Sequence, residues 1–306
     1  MDIRQLRSMV AVMDYGGFSA AAAALGTVQS NVSTHLSKLE AEVGFILIDR
    51  RTGIPTEEGA LVANRARRLL AELEAIKSDL SAMAGDLHGR VRIGMIGTTA
   101  RWMIPLLVPR TQIAHPNVKL EISEGTSSSL QNRLNVGRVD LALINRPIGA
   151  SELEFHPLFD ESLVLLVDKS HRLANADEIS VSDLANVKLI TPPKGTGFRD
   201  ELDAVAATHG VKIESKAEVD GLRLIAALAM DGFGPAILPS SSIPEHQMDH
   251  LKSISIKDLA PRRIGFARLA KSLDSAASRA VAEILVQIAS ENATTPPSGI
   301  TFLQPN

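Results

Sequence analysis

Apolar positions in the first ninety residues repeat with helical period. Ile3, Leu6, Val10 and Met13 fall on one face of a first helix. From Phe18 to Leu39 the pattern predicts two short helices joined by a tight turn. Ser19 is a candidate cap, alanines run to Leu25, and Gly26 sits where the chain must turn. The second helix begins at Val28, with Val32, Leu36 and Leu39 as its apolar stripe and Gly44 as its C-cap. Its other face carries Gln29, Ser30, Asn31, Ser33, Thr34 and Lys38: amides, hydroxyls, one cation and no carboxylate. Such a face suits a helix that reads base edges in the major groove, although a polar-faced pair in a bundle looks the same.

Phe45 to Ile48 is an apolar run suited to a strand. Gly53 and Pro55 then mark a hairpin-like loop carrying Arg50 and Arg51. Thr56 can cap the next helix, and Glu57 and Glu58 suit its positive end. Along that helix Val62, Ala66, Leu69, Leu73, Ile76, Leu80, Met83 and Leu87 alternate spacings of four and three, a heptad seam that calls for a partner helix. From Glu57 to Asp86 it would span about 45 Å at about 1.5 Å per residue.

His88-Gly89 breaks the helix, and strands then alternate with helices, which predicts α/β layering with parallel strands. One block holds strands at Val91–Ile96, Val118–Ser123 and Asp140–Ile144. It also holds a helix from Ala100 to Ala114, interrupted at Pro105 and Pro109, and another from Ser128 to Val136. The next block, to about residue 267, has strands at Leu163–Val167, Lys188–Ile190, Lys216–Val219 and Ala236–Leu238, and helices at Phe198–Thr208 and Leu222–Met230. Ile264–Leu269 is expected to cross back to the first block, where Ser272–Ala289 forms a last helix. Residues 293–306 read as a loose tail.

Open α/β sheets bind ligands beyond the carboxyl ends of their strands. Three such turns carry small hydroxyl residues: Gly97-Thr98-Thr99, Gly125-Thr126-Ser127 and Lys194-Gly195-Thr196-Gly197. Each offers free N–H groups to a carboxylate or another small anion. Each threonine taken singly is as well explained as a helix cap.

Charge and composition narrow the picture. The 306 residues suffice for two or three domains, and the net charge of −3 speaks against a broad basic surface. DNA binding would need a local positive patch, for which Arg50, Arg51, Arg65, Arg67 and Arg68 are candidates. The chain has no cysteine, so it has no disulfide, thiolate metal site or thiol nucleophile. The N-terminal stretch reads as neither a signal peptide nor a membrane span, which makes cytoplasm the expectation.

The residues FSxAAxxL, QSxVSxxLxxLExExG and LIDR resemble the N-terminal domain of LysR-type transcriptional regulators. DLALINRP, PLFDESLVLLVDKSHRLA and DGFGPAILP resemble the effector domains of the same family. The resemblance implies a winged helix-turn-helix over residues 1–58, a linker and dimerisation helix over 59–88, and an α/β effector domain over 89–306. That domain would be two-lobed like the periplasmic binding proteins, with lobe I about 91–161 and 268–292 and lobe II about 162–267. It further implies that Gln29, Ser30, Asn31, Ser33 and Thr34 face bases, while Lys38, Arg50 and Arg51 hold backbone or minor groove. Thr98, Thr99, Thr126, Ser127, Asn145, Arg146 and Phe198 would contact a small, anionic effector. The implied partners are double-stranded DNA carrying an interrupted palindrome, a second chain through the linker helix, a homotetramer, and RNA polymerase as a further contact. No membrane, cofactor or metal is called for. Two departures stand out. Val28 replaces a usual Ser or Thr, which removes or displaces a cap, and Asn31 stands where Ala is usual.

An enzyme would need a constellation that the chain lacks. There is no Gly-x-Ser-x-Gly elbow, no His-Glu-x-x-His helix and no Walker loop. His246 and His250 are four apart but have no identifiable third ligand. The alternative to a regulator is a cytoplasmic small-ligand-binding protein with no sequence-specific DNA role.

Overall fold

The computed structural model describes residues 1–147, 149–244, 248–270, 274–292 and 298–303. Helix α1 (Ile3–Tyr15) starts at a capping box, in which Asp2 Oδ1 accepts the Gln5 N–H at 2.9 Å and Gln5 Oε1 accepts the Asp2 N–H at 3.0 Å. Helices α2 (Phe18–Ala24) and α3 (Gln29–Val43) follow. Ser19 does not cap α2: the N-cap is Gly17, and the Ser19 hydroxyl instead donates to Gln29 Oε1 at 3.0 Å. Met9, Val12, Ala21, Val32, Leu36 and Leu39 close the head's core, with Leu47 and Ile48. Each large apolar side chain so buried contributes roughly 1.5–3 kcal/mol.

Phe45–Ile48 is no strand. Only Ile48 pairs, in a single bridge to Pro55, while Phe45 and Ile46 stay exposed. Helix α4 (Glu57–Met83) is capped by Thr56, whose Oγ1 accepts the Gly59 N–H at 3.0 Å. It ends before Asp86, so Leu87 lies outside it, half-buried against the core of lobe I.

Lobe I is a six-stranded sheet in the order β12 (Ile300–Phe302), β4 (Leu153–Glu161), β11 (Arg262–Leu269), β3 (Leu141–Asn145), β1 (Gly89–Met95), β2 (Val118–Glu124). Strands β2, β1 and β3 are parallel as expected, whereas β3, β11, β4 and β12 pair antiparallel. Helices α5 (Gly97–Ala114), α6 (Ser127–Asn135) and α9 (Ala276–Asn292) accompany this sheet. The expected interruption of α5 does not occur. Pro105 and Pro109 both sit on its exposed side, so the carbonyls deprived of an N–H partner can turn toward water.

Lobe II has a four-stranded sheet, β6 (Glu178–Ile179), β10 (Leu251–Ile256), β5 (Leu163–Asp168) and β9 (Ala236–Pro239), and a parallel pair, β7 (Lys188–Thr191) with β8 (Glu214–Glu218). Helices α7 (Gly197–Thr208) and α8 (Leu222–Met230) complete it. The return to lobe I comes earlier than 268, because β11 pairs with β4 from Arg262 onward. The expected loose tail is overturned at residues 300–302: Ile300 is buried and β12 extends the sheet along β4. Residues 293–297, 304–306, the start of the last predicted helix and His246 lie outside the described residues.

Candidate DNA-reading head and effector cleft

Gly26 adopts φ 63° between α2 and α3, the left-handed turn that the sequence requires there. Val28 is the N-cap of α3 and supplies no side-chain bond to it. The displaced Thr27 does not cap the helix either; its Oγ1 accepts Asn31 Nδ2 at 3.0 Å. Gln29, Ser30, Asn31, Thr34 and Lys38 are exposed along α3, and Ser33 is half-buried. Gln29 is tied to α2 through Ser19, and Thr34 donates to the Ser30 carbonyl at 2.8 Å.

Glu40 joins this helix to the loop that follows. It is buried, and its Oε1 accepts the Leu47 N–H at 2.8 Å and the Ile48 N–H at 3.4 Å. Its Oε2 pairs with Arg50 at 3.3 Å, and Arg50 also donates to Ser37 Oγ at 2.6 Å. Arg50 therefore braces the wing against α3. Arg51 is exposed, and among the described residues no ion pair engages it. Two other candidate cations are committed elsewhere. Arg67 is buried on Asp14 at 2.6 Å, and Arg68 donates to the Asn135 carbonyl at 2.9 Å. Arg138 of lobe I also reaches Asp14, at 3.1 Å.

The heptad seam divides. Ala66 and Val62 pack into the head's own core, while Leu69, Ile76, Leu80 and Met83 are exposed. An apolar groove of about 300 Å³ runs beside them, lined by Ile3, Leu6, Leu69, Leu70, Leu73 and Ile76.

The parallel order β2-β1-β3 brings three strand ends side by side, and with two of them the hydroxyl-bearing turns after β1 and β2, whereas the third turn, 194–197, follows β7 in lobe II. Thr98 and Thr99 lie inside the first turn of α5, whose N-cap is Ile96. They are 3% and 0% exposed, and Thr99 Oγ1 has no hydrogen-bond partner among the described residues. Thr126 caps α6, accepting the Ser129 N–H at 3.2 Å. Ser127 Oγ accepts the Asn145 N–H at 3.2 Å, which links the second and third strand ends. Arg146 is exposed beyond β3. Thr196 is no side-chain cap: its hydroxyl donates to the Pro193 carbonyl at 2.8 Å. Arg199 is a structural clamp, buried on Asp203 at 2.8 Å, Thr191 at 2.7 Å and Ser215 at 3.0 Å. Trp102 packs edge-on to Phe159 at 5.2 Å as part of the lobe I core.

Phe198 opens α7 in lobe II, with the Arg262 guanidinium 5.8 Å from its ring centroid. Arg262 pairs with the buried Glu161 at 3.3 Å, and Ser241 Oγ donates to the same carboxylate. Burial pushes the Glu161 carboxyl above the usual carboxylate range, against the opposing pull of Arg262 and Ser241. Two further contacts join the lobes: Arg101 donates to the Ser241 carbonyl at 2.8 Å, and Arg223 pairs with Glu124 at 3.1 Å. Sequence reasoning missed all of these. Glu161 sits on a strand that alternation did not reveal, and no local pattern marks Arg101 or Arg223.

Two family models match the chain: the bacterial regulatory helix-turn-helix protein of the lysR family over residues 3–60, and the LysR substrate-binding domain over residues 84–290. The chain belongs to the LysR family. It is thus a DNA-binding transcriptional regulator with an effector-binding domain, which disfavours the ligand-binding protein without a DNA role. The probable hydrogen peroxide-inducible genes activator of Mycobacterium leprae (strain TN) is 29% identical over 294 residues, 94% of each chain. The HTH-type transcriptional regulator CysL of Bacillus subtilis (strain 168) is 27% identical over 262 residues, covering 82% of this chain and 87% of that protein. A full-length OxyR variant from Pseudomonas aeruginosa superimposes with TM-score 0.77 at 23% identity, covering 100% of this chain and 99% of that one, a likeness of fold. LysR-family regulators bind DNA and oligomerise. Among the described residues no helix of this one is long and apolar enough to cross a membrane.

Proposed function

We propose that this LysR-family regulator reads an interrupted palindrome with paired heads and answers to a small anionic effector held between its lobes. Gln29, Ser30, Asn31, Ser33 and Thr34 are assigned to bases, Lys38 and Arg51 to phosphate or minor groove, and Arg50 to the wing's placement as well as its charge. The observation that carries this reading is the exposed row along α3, free of carboxylates and flanked by a wing fixed through Glu40.

The exposed stripe Leu69, Ile76, Leu80 and Met83 supports pairing through α4, because soluble chains rarely leave a contiguous apolar stripe in water. A tetramer, a polymerase contact and a cytoplasmic location belong to the same reading. The effector is assigned to the cleft of Thr98, Thr99, Thr126, Ser127, Asn145, Arg146 and Phe198. Its binding shifts lobe packing only as far as it prefers one state over the other. Relatives of similar identity are named for hydrogen peroxide and for CysL, so the names do not choose an effector. With no cysteine in the chain, a response through a thiol or disulfide is closed to it, and reversible binding is the assigned mode. No catalytic step is assigned to the chain, whose two matched family models describe a helix-turn-helix protein and a substrate-binding domain.

The test is fluorescence anisotropy on DNA from upstream of the protein's own gene, at several salt concentrations, with random DNA as control. Preferential binding that survives salt is expected. Equal, salt-sensitive binding to both DNAs would remove the sequence-reading assignment of α3.

A further inference from the structure

The Glu124 carboxylate occupies the place where an anionic ligand would be held. Glu124 ends β2 and leans over the first turn of α5. A Cβ added at Gly97 would lie 2.3 Å from Glu124 Oε1, so the carboxylate packs directly on the backbone at the start of α5. The N-terminal end of a helix is positive and attracts such a group. On its other side the carboxylate meets Arg223, from the first turn of α8 in lobe II, at 3.1 Å. One resident anion thus bridges a helix end of one lobe and a guanidinium of the other. In the same turn of α5 Thr98 and Thr99 are shut away from solvent, and among the described residues Thr99 Oγ1 has no partner.

We propose that Arg223 is a receptor for the effector's anionic group, and that Glu124 is a built-in stand-in which latches the lobes until that group displaces it. This rests on reading the cleft as the site of an anionic effector. Both partners are about half exposed, with 62% and 46% of their side-chain surface open to water. An exposed ion pair shifts an equilibrium by about fivefold at most, so the latch is weak enough for a small ligand to release. Glu124 has room to swing into water when it leaves. A carboxylate or other oxyanion on the ligand then takes its place, held by a planar fork from Arg223 beside the positive N-terminal end of α5. Neutral and cationic ligands cannot make this exchange.

The absence of cysteine allows clean labelling. Cysteines placed at the exposed Asn132 of α6 and Glu201 of α7 would carry spin labels on the two lobes. Inter-lobe distances are then measured in the full-length protein, diluted into unlabelled chains, for wild type, Glu124→Gln and Arg223→Gln. Sodium sulfate is the probe anion, with sodium chloride at equal ionic strength as control. Wild type is expected to give one short distance, and both variants a longer, broader distribution. Sulfate should return Glu124→Gln to the short distance and leave wild type short throughout, while Arg223→Gln should not respond. Wild-type distances in both variants would overturn the latch and leave the anionic-effector reading standing. An opened Glu124→Gln that responds to sulfate no more than Arg223→Gln would overturn the receptor role of Arg223 and leave the anionic-effector reading standing on the residues assigned above.

Discussion

Asp79 of the linker helix caps the last helix of the effector domain: its Oδ1 accepts the Ala276 N–H at 2.8 Å. Ser78 Oγ takes the next N–H, that of Ala277, at 3.1 Å, and Arg279 closes onto Asp79 at 3.2 Å. Two residues of α4 thereby satisfy donors that α9 cannot satisfy itself. Asp79→Ala should cost about 1 kcal/mol, the worth of an N-cap. Because the cap joins two domains, calorimetry should also show the unfolding endotherm broader or more split than that of wild type. An unaltered endotherm would mean that Asp79 carries no coupling.

Gly59 meets the wing's backbone. A Cβ there would stand 1.8 Å from the Leu47 carbonyl oxygen, which Thr56 also uses. Gly59→Ala, although favourable for an isolated helix, should destabilise the head by roughly 1–3 kcal/mol or displace the wing. Denaturant unfolding of the variant is the check, and stabilisation would contradict the close approach.

Arg51→Ala should weaken binding to all DNA sequences alike and lower the slope of log affinity against log salt by about 1. A loss confined to one sequence would reassign Arg51 to base reading, and an unchanged slope would remove it from the phosphate contacts.

Ile76→Glu places a charge in the exposed stripe of α4. Sedimentation at micromolar protein should show the chain moving toward monomer, with its helical content intact. A variant that sediments as wild type would exclude the stripe as an interface.

Glu161 predicts a pH dependence. Its folded-state value lies above the unfolded value, close to 4.5, because burial disfavours its charged form. The folded state therefore binds more protons in the window between the two values, and stability falls as pH rises through it. Melting temperatures from about pH 4 to about pH 8 should show that slope in wild type and a flatter profile in Glu161→Gln. The same slope in both proteins would remove Glu161 as its source.

The head was legible because its signals are local. The stripe Val32-Leu36-Leu39, the turn at Gly26, the cap at Thr56 and the end at Gly44 each follow from residue chemistry over a few positions, and each stands where expected. The hydroxyl turns after β1 and β2 were legible for the same reason. What escaped depends on distant partners. β4 and β10 are recognised as strands through the neighbours they pair with, β11 and β5. Missing β4 hid Glu161 and made the sheet seem parallel throughout. Arg67 and Arg68 looked like cations for DNA, and only their neighbours Asp14 and Asn135 reveal them as struts. Ser19 had the chemistry of a cap, but it lies within α2, where its hydroxyl meets Gln29 instead.

The pairing of Glu161 with Arg262 bears on how the chain folds. These residues face each other across β4 and β11, yet about a hundred residues separate them, and those residues are lobe II. From lobe I's side the other lobe is one long insertion whose two ends must meet before the sheet can zip. Loop-closure entropy grows only slowly with length, by about 0.6 kcal/mol per doubling, so the equilibrium penalty of so long an insertion is modest. The kinetic penalty is larger, since contacts this far apart form late. Lobe II, continuous in sequence and with its own core, is the part able to collapse first. Its folding would draw Glu161 and Arg262 together and template the last strands of its host.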